Sequence, residues 1–141
     1  EADTSASDFE FLPFDVNLRR CQRYYQKSFN YEYAPQNVSS YSGGFSDAGN
    51  GTVMTSTNFR LQIYFRDEMR SAPTIVYYKA QAVVGDGEWS YWDGADNLDN
   101  TSMSANTRAN KFTALMDFSG GGKNVGRSGM AQGNWTAEAE L

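Results

Sequence analysis

Apolar and polar positions alternate with a period of two along most of this chain, the spacing of half-buried strands. The alternation is cleanest in Leu61-Gln62-Ile63-Tyr64-Phe65, which places Leu61, Ile63 and Phe65 on one face. Thr74-Ile75-Val76-Tyr77-Tyr78-Lys79 is the most β-prone run, and it thins out through Ala82-Val83-Val84. Phe29 to Tyr33, Thr52 to Thr57, Asn110 to Phe118 and a closing Asn134 to Leu141 read as further strands. Polar turns separate them: a Ser/Gly/Asn-rich stretch from Pro35 to Gly51, a turn at Met69 to Pro73, and Ser119 to Lys123. Gly120-Gly121-Gly122-Lys123 lacks the spacing and the strand-to-helix setting of a phosphate-binding loop.

One segment breaks the period. Leu18, Cys21 and Tyr25 recur at i, i+3 and i+7, so Leu18 to Ser28 reads as a short helix, with Asp15 as its N-cap. Lys27 then falls at the negative end of the helix dipole. About three turns are too short to stand alone in water, so the helix is expected to lie on the strands. Phe9, Phe11 and Phe14 are the expected partners of its apolar face, and Cys21 is expected to be a buried small hydrophobe on that face. The predicted fold is all-β: an antiparallel β-sandwich or jelly roll of six to eight strands with one short N-terminal α-helix. Residues 1–8 read as a flexible lead-in and 9–141 as a single domain.

Composition agrees and narrows the chemistry. The 141 residues include nine Tyr, nine Phe and three Trp while Leu and Ile are scarce, so the core must be built largely from aromatic, Val and small side chains. There is no His, which excludes Ser-His-Asp and Cys-His catalysis and any His-bearing zinc site within the chain. A single cysteine excludes an internal disulfide. With 12 Lys+Arg against 17 Asp+Glu the net charge is -5, which argues against a nucleic-acid partner because a phosphate backbone requires a basic footprint. The arginines at 19, 20 and 23 are a local exception that reads as a solvated or ion-paired helix face. No apolar run is long enough to span a membrane, so membrane insertion is not expected. The sequence opens on Glu1 and not Met, as a processed product or the ordered part of a longer chain would.

The stretch from Gly85 to Asn100 gathers acids, glycines and three aromatics, and is the candidate functional loop. Trp89, Tyr91 and Trp92 could supply stacking faces for a sugar ring, with Asp93, Asp96 and Asn97 reading its hydroxyls. If the segment is extended, Trp89 and Tyr91 share a face and Trp92 lies opposite. The competing reading is that one or more of these rings fills the core or a seam between subunits. Asp93, Asp96 and Asp99 are candidate calcium ligands, but their spacing by three lacks the alternate ligand positions and closing Glu of an EF-hand loop. The same acids could supply a carboxylate pair for glycoside hydrolysis, although five acids in one loop make such a pair easy to find. Glycosylation sequons begin at Asn37, Asn50, Asn100 and Asn134. No cofactor is called for.

Three segments also carry a resemblance. Pro13-Phe14 followed by Leu18-Arg19-Arg20-Cys21-Gln22-Arg23-Tyr24-Tyr25-Gln26-Lys27-Ser28 is similar to the CQRYY-x-KS segment of C-terminal domains in bacteriophage tail fibre and minor virion structural proteins. Ile63 to Ile75 resembles that family's V-x-F-P-x-x-M-R-A-x-P-T-V segment, with Arg66 where a proline is common, and Trp135 to Leu141 resembles its A-D-A-E-L chain end. The long acidic insert at 85–100 is a second departure. The resemblance implies a virion structural protein rather than an enzyme: a β-sandwich at the outer end of a fibre or spike. It further implies a homotrimer on the particle surface, in contact with other virion proteins and with host-surface glycan or protein. A decoration module without receptor binding, and a glycan-binding module of a secreted protein, are the alternatives.

Overall fold

A computed structural model describes residues 12–37, 47–55, 57–79, 86–92, 104–119 and 125–140. It contains one helix, α1 (Phe14–Gln22), and eight strands: β1 (Tyr25–Lys27), β2 (Asp47–Thr55), β3 (Asn58–Tyr64), β4 (Thr74–Tyr78), β5 (Ser90–Trp92), β6 (Ser104–Ala109), β7 (Thr113–Ser119) and β8 (Ser128–Glu138). Every strand pairing is antiparallel. The fold is therefore all-β with one short N-terminal helix, as the alternation predicts.

The strand order is β1-β8-β2-β3-β7-β6, with β4 and β5 also paired to β8. Residues 128–133 of β8 run between β2 and β5, and residues 134–138 run between β1 and β4. One strand is thus shared by two sections of a curled sheet, and the curl brings β4 beside β6. The inner face follows the period-two pattern. Phe59, Leu61 and Ile63 of β3 lie opposite Phe118, Met116 and Ala114 of β7, and all six are buried. Phe65, Val53, Met69, Trp89, Tyr91, Trp135 and a row of alanines on β8 and beyond it complete the same cluster.

The helix departs from expectation at both ends. It begins at Phe14, where the Pro13 carbonyl accepts from the amides of Val16 and Asn17 at 3.1 and 3.2 Å, and Asp15 lies in the first turn instead of capping it. It stops at Gln22, after which the chain turns at Arg23-Tyr24 and becomes β1. Tyr25 and Lys27 are therefore strand residues, and the apolar helix face that included Tyr25 does not form. Cys21 is exposed, not buried, and the buried residue of α1 is Gln22. Phe14 is 79% exposed, so it does not staple the helix to the sheet; Phe9 and Phe11 lie outside the described residues.

Phe29 to Tyr33 is a second correction, because it forms turns and not a strand. The Asn30 carbonyl accepts from the Tyr33 amide at 3.0 Å, and Lys27 Nζ donates to the carbonyls of Tyr31 and Tyr33 at 3.2 and 2.6 Å. These local bonds win over the alternation, leaving only Phe29 buried.

Candidate functional site

The aromatic trio is divided by the sheet. Trp89 and Tyr91 point inward and are each 1% exposed, whereas Trp92 points the other way and is 51% exposed. The alternation predicted this split. Trp89 is held on all sides: its Nε1 donates to the Asn134 carbonyl at 3.1 Å, its ring tilts against Phe118 at 5.2 Å, and Tyr77 meets it edge-on at 6.1 Å. Tyr91 meets Phe59 edge-on at 4.8 Å. Both rings are core residues with no face open to a ligand, so as stacking candidates they are corrected to structural anchors. Trp92 is the member presented to solvent, with Met130 of β8 as its cross-strand partner.

The two buried rings explain an oddity of β8. Its inward positions read Gly129, Ala131, Gly133, Trp135, Ala137, an unusually small set for a central strand. A Cβ at Gly133 would fall 2.2 Å from Trp89 Cδ1, and one at Gly129 would fall 2.6 Å from Tyr91 Cε2. The glycines are the space into which the rings of Trp89, just before β5, and of Tyr91 in β5 fit, because only hydrogen lies beneath each ring.

The remaining predicted site residues, Asp93, Asp96, Asn97 and Asp99, lie outside the described residues. Of the acids on the near side of the loop, Asp86 pairs with Lys79 at 2.8 Å. The Asn37 side-chain oxygen accepts from the amides of Lys79 and Gly87 at 2.9 and 3.2 Å, which joins the residue after β4 to the turn leading toward β5. Among the described residues no three metal-binding side chains are grouped to hold an ion. The sequon residue Asn134 is fully buried in β8, where a folded chain offers it to no glycosylating enzyme.

The three segments that carry the resemblance come together in space, and they do so as structure. Gln26 of β1 is buried, and its Nε2 donates to the carbonyls of Gln22 and Asp67 at 3.0 and 2.8 Å and lies 3.1 Å from Met69 Sδ. Its Oε1 accepts from the Arg66 amide at 2.9 Å. Ser28 Oγ accepts from the Trp135 amide at 2.8 Å and donates toward Asn134 Oδ1 at 3.2 Å. The Arg70 amide reaches the Arg23 carbonyl at 2.7 Å, the Ala139 amide reaches the Tyr24 carbonyl at 2.8 Å, and the Arg70 guanidinium stacks over Tyr24 at 5.4 Å. Gln26 and Ser28 thus staple the helix end and β1 to the 66–70 bend and to the end of β8, while the buried Gln22 side chain donates to Tyr31 Oη at 2.6 Å. Composition and periodicity overlook this staple, because buried amides carry no hydrophobic signal.

Two surface features remain. A groove of about 420 Å³ runs between α1 and the Asp67-Glu68 bend, lined by Asp15, Val16, Arg19, Arg20 and Arg23. Three guanidiniums and three carboxylates give it no single sign of charge. On the outer face of β3 and β7, Arg60 and Asp117 sit opposite one another and pair through two hydrogen bonds, Nη2 to Oδ2 at 2.9 Å and Nε to Oδ1, with Arg108 of β6 at 3.5 Å. The Arg60 hydrogen bond holds the Asp117 carboxyl below its usual range. No family model, curated protein or solved structure matches the chain.

Proposed function

We propose that this chain is a structural domain of a bacteriophage virion, the outer part of a tail fibre or spike, that contacts host-surface glycan or protein. In this reading it assembles with other virion proteins, as a homotrimer on the particle surface, and does no catalysis. The three-segment resemblance supplies the class, and the observation that carries the contact is Trp92. Its indole is half exposed at the end of β5, beside Tyr91 of that strand and Trp89 just before it, both locked into the core, so a hydrophobic face is displayed on a rigid mount. Such a face stacks on the C–H side of a sugar ring or on an apolar side chain, and rigidity lowers the entropy lost on binding. The exposed Tyr64 and Phe112 on the outer face, 72% and 57% accessible, favour a second reading in which the domain only contacts its neighbours on the particle.

Binding to a glycan array and to host-cell envelopes tests the first reading. Trp92→Ala is expected to reduce binding at least tenfold with an unchanged melting temperature, because the side chain leaves no hole in the core. Equal binding by both proteins would end the assignment of contact to Trp92. No binding by either would leave the neighbour-contact reading in its place.

A further inference from the structure

The outer face of the sheet carries a positive charge that no group among the described residues balances. Trp92 pairs with Met130 of β8. Ser128, two residues along β8 on the same face, begins a cross-strand row through Thr52 of β2 and Arg60 of β3 to Asp117 of β7. The face that displays Trp92 is therefore the face that holds the Arg60–Asp117 pair. Arg60 takes both oxygens of the Asp117 carboxylate, and a second guanidinium, that of Arg108, reaches Oδ2 only at 3.5 Å. Two guanidiniums share one carboxylate, so a positive charge is left over, on a chain whose net charge is -5. Arg108 carries it: its side chain is 73% exposed against 35% for Arg60, and most of its N–H donors face solvent.

The neighbours of Arg108 are also open to a ligand. Gln62 of β3, Leu115 of β7 and Arg108 of β6 form the next cross-strand row. Gln62 is exposed, and its amide has no hydrogen-bond partner among the described residues. Tyr64 is exposed two residues along β3 from Gln62, which sets it about 12 Å from Arg108 at the usual strand spacing and rise.

We infer that this face binds a carboxylated sugar, with the carboxylate on Arg108, hydroxyls on Gln62 and the C–H side of a ring on Tyr64. A planar guanidinium fork meets a carboxylate through two parallel hydrogen bonds, a match that neutral sugars lack. An isolated aromatic ring among polar side chains suits a sugar, whereas a protein partner requires an apolar centre that these polar rows do not offer. The inference rests on the reading of the domain as a host-contact module; it adds a second contact to Trp92 and names the class of glycan.

Binding of the full chain to polygalacturonate, hyaluronate and polysialic acid, each beside its neutral methyl ester, and to dextran sulfate tests it. At least one carboxylated polymer should bind about tenfold tighter than its ester. Arg108→Gln should bring that polymer down to the level of the ester and leave ester binding unchanged. Its melting temperature should stay put, because Arg108 gives up one long contact at the surface. Tyr64→Ala should weaken acid and ester alike. Equal binding of acid and ester overturns the inference, and so does an Arg108→Gln protein that binds the acid as tightly as the wild type. Dextran sulfate binding as tightly as the carboxylated polymer overturns it as well, since only charge would then be read. An oligomer that comes apart in Tyr64→Ala overturns it too, because the face would be a seam between subunits. Neutral glycans or host envelopes bound through Trp92 with no preference for acid would remove the carboxylated sugar and leave the host-contact reading standing; no binding to any glycan or envelope would remove both.

Discussion

The two halves of β8 are buried by opposite means. From Ser128 to Gly133 the strand presents glycine and alanine inward, and the rings of Tyr91 and Trp89 fill the space they leave. From Asn134 to Ala137 every residue is buried, on both sides of the sheet, and the Ser28 hydroxyl beside β1 meets Asn134 Oδ1 and the Trp135 backbone, while Asn134 Nδ2 has no partner among the described residues. The first half depends on shape, the second on hydrogen bonds that have no water to replace them. Shape fails when volume is added; a buried hydrogen-bond network fails when one partner is removed. The same strand should therefore respond to opposite kinds of substitution along its length.

The largest effect is expected in the first half. Gly133→Ala puts a methyl group into the Trp89 ring and should lower stability by about 3 kcal/mol, the upper end of overpacking costs. Denaturant unfolding measures it, and pairing the change with Trp89→Phe should restore part of the loss; equal loss in the single and double variants would show that the ring is not the obstacle. In the second half, Gln26→Leu preserves bulk but strands the Arg66 amide and the carbonyls of Gln22 and Asp67, for about 2 kcal/mol. Hydrogen exchange should locate that loss at the 66–70 bend and the end of β8, leaving β3 and β7 protected.

Tyr77 tests the rule in reverse. Its ring packs beside Trp89, but its hydroxyl is buried with no hydrogen-bond partner among the described residues, and burial pushes its pKa well above the usual phenol range. Tyr77→Phe should therefore stabilise, by up to about 1 kcal/mol, since it removes an uncompensated polar group and keeps the ring.

The smallest effect concerns pH. Asp117, on the outer face away from β8, has its folded-state pKa lowered, first of all by the hydrogen bond from Arg60. A depressed carboxyl pKa contributes stability that is complete above the unfolded value near 4 and is lost as pH falls through the folded value. Asp117→Asn should flatten the acid side of the stability curve while leaving the neutral side almost parallel to wild type. An unchanged acid slope would place the sensitivity elsewhere.

Much of the sheet was legible in the sequence, and what was missed has physical causes. The alternation in Leu61 to Phe65 and the β-branched and aromatic run at Thr74 predict β3 and β4 because side chains on a half-buried sheet repeat every two residues. It also assigns Trp89 and Tyr91 to one face and Trp92 to the other. Ser104 to Ala109 was not recognised as β6 because its small polar residues carry no amphipathic signal; pairing with β7 makes it a strand. The start of β8 was hidden by Gly129 and Gly133, whose β-propensity is poor until the rings above them are known. The helix was placed too far along because Leu18, Cys21 and Tyr25 fit a helical period by chance. What ends it joins distant residues: Gln26 bonds to Arg66 and Asp67, 40 and 41 positions away, and β1 pairs with β8, more than a hundred positions away. Of the candidate site, the placing of Trp92 opposite Trp89 and Tyr91 was legible, but the staple formed by Gln26 and Ser28 was not.

The position of β8 along the chain has a kinetic consequence. Its partners are β1, β2, β4 and β5, and all four precede it, β1 by more than a hundred residues. During synthesis these strands leave the ribosome without the strand that joins them, and the edges that β8 covers stay open until Ser128 to Glu138 emerges. Folding must then close several long loops late, which predicts slow, high-contact-order kinetics.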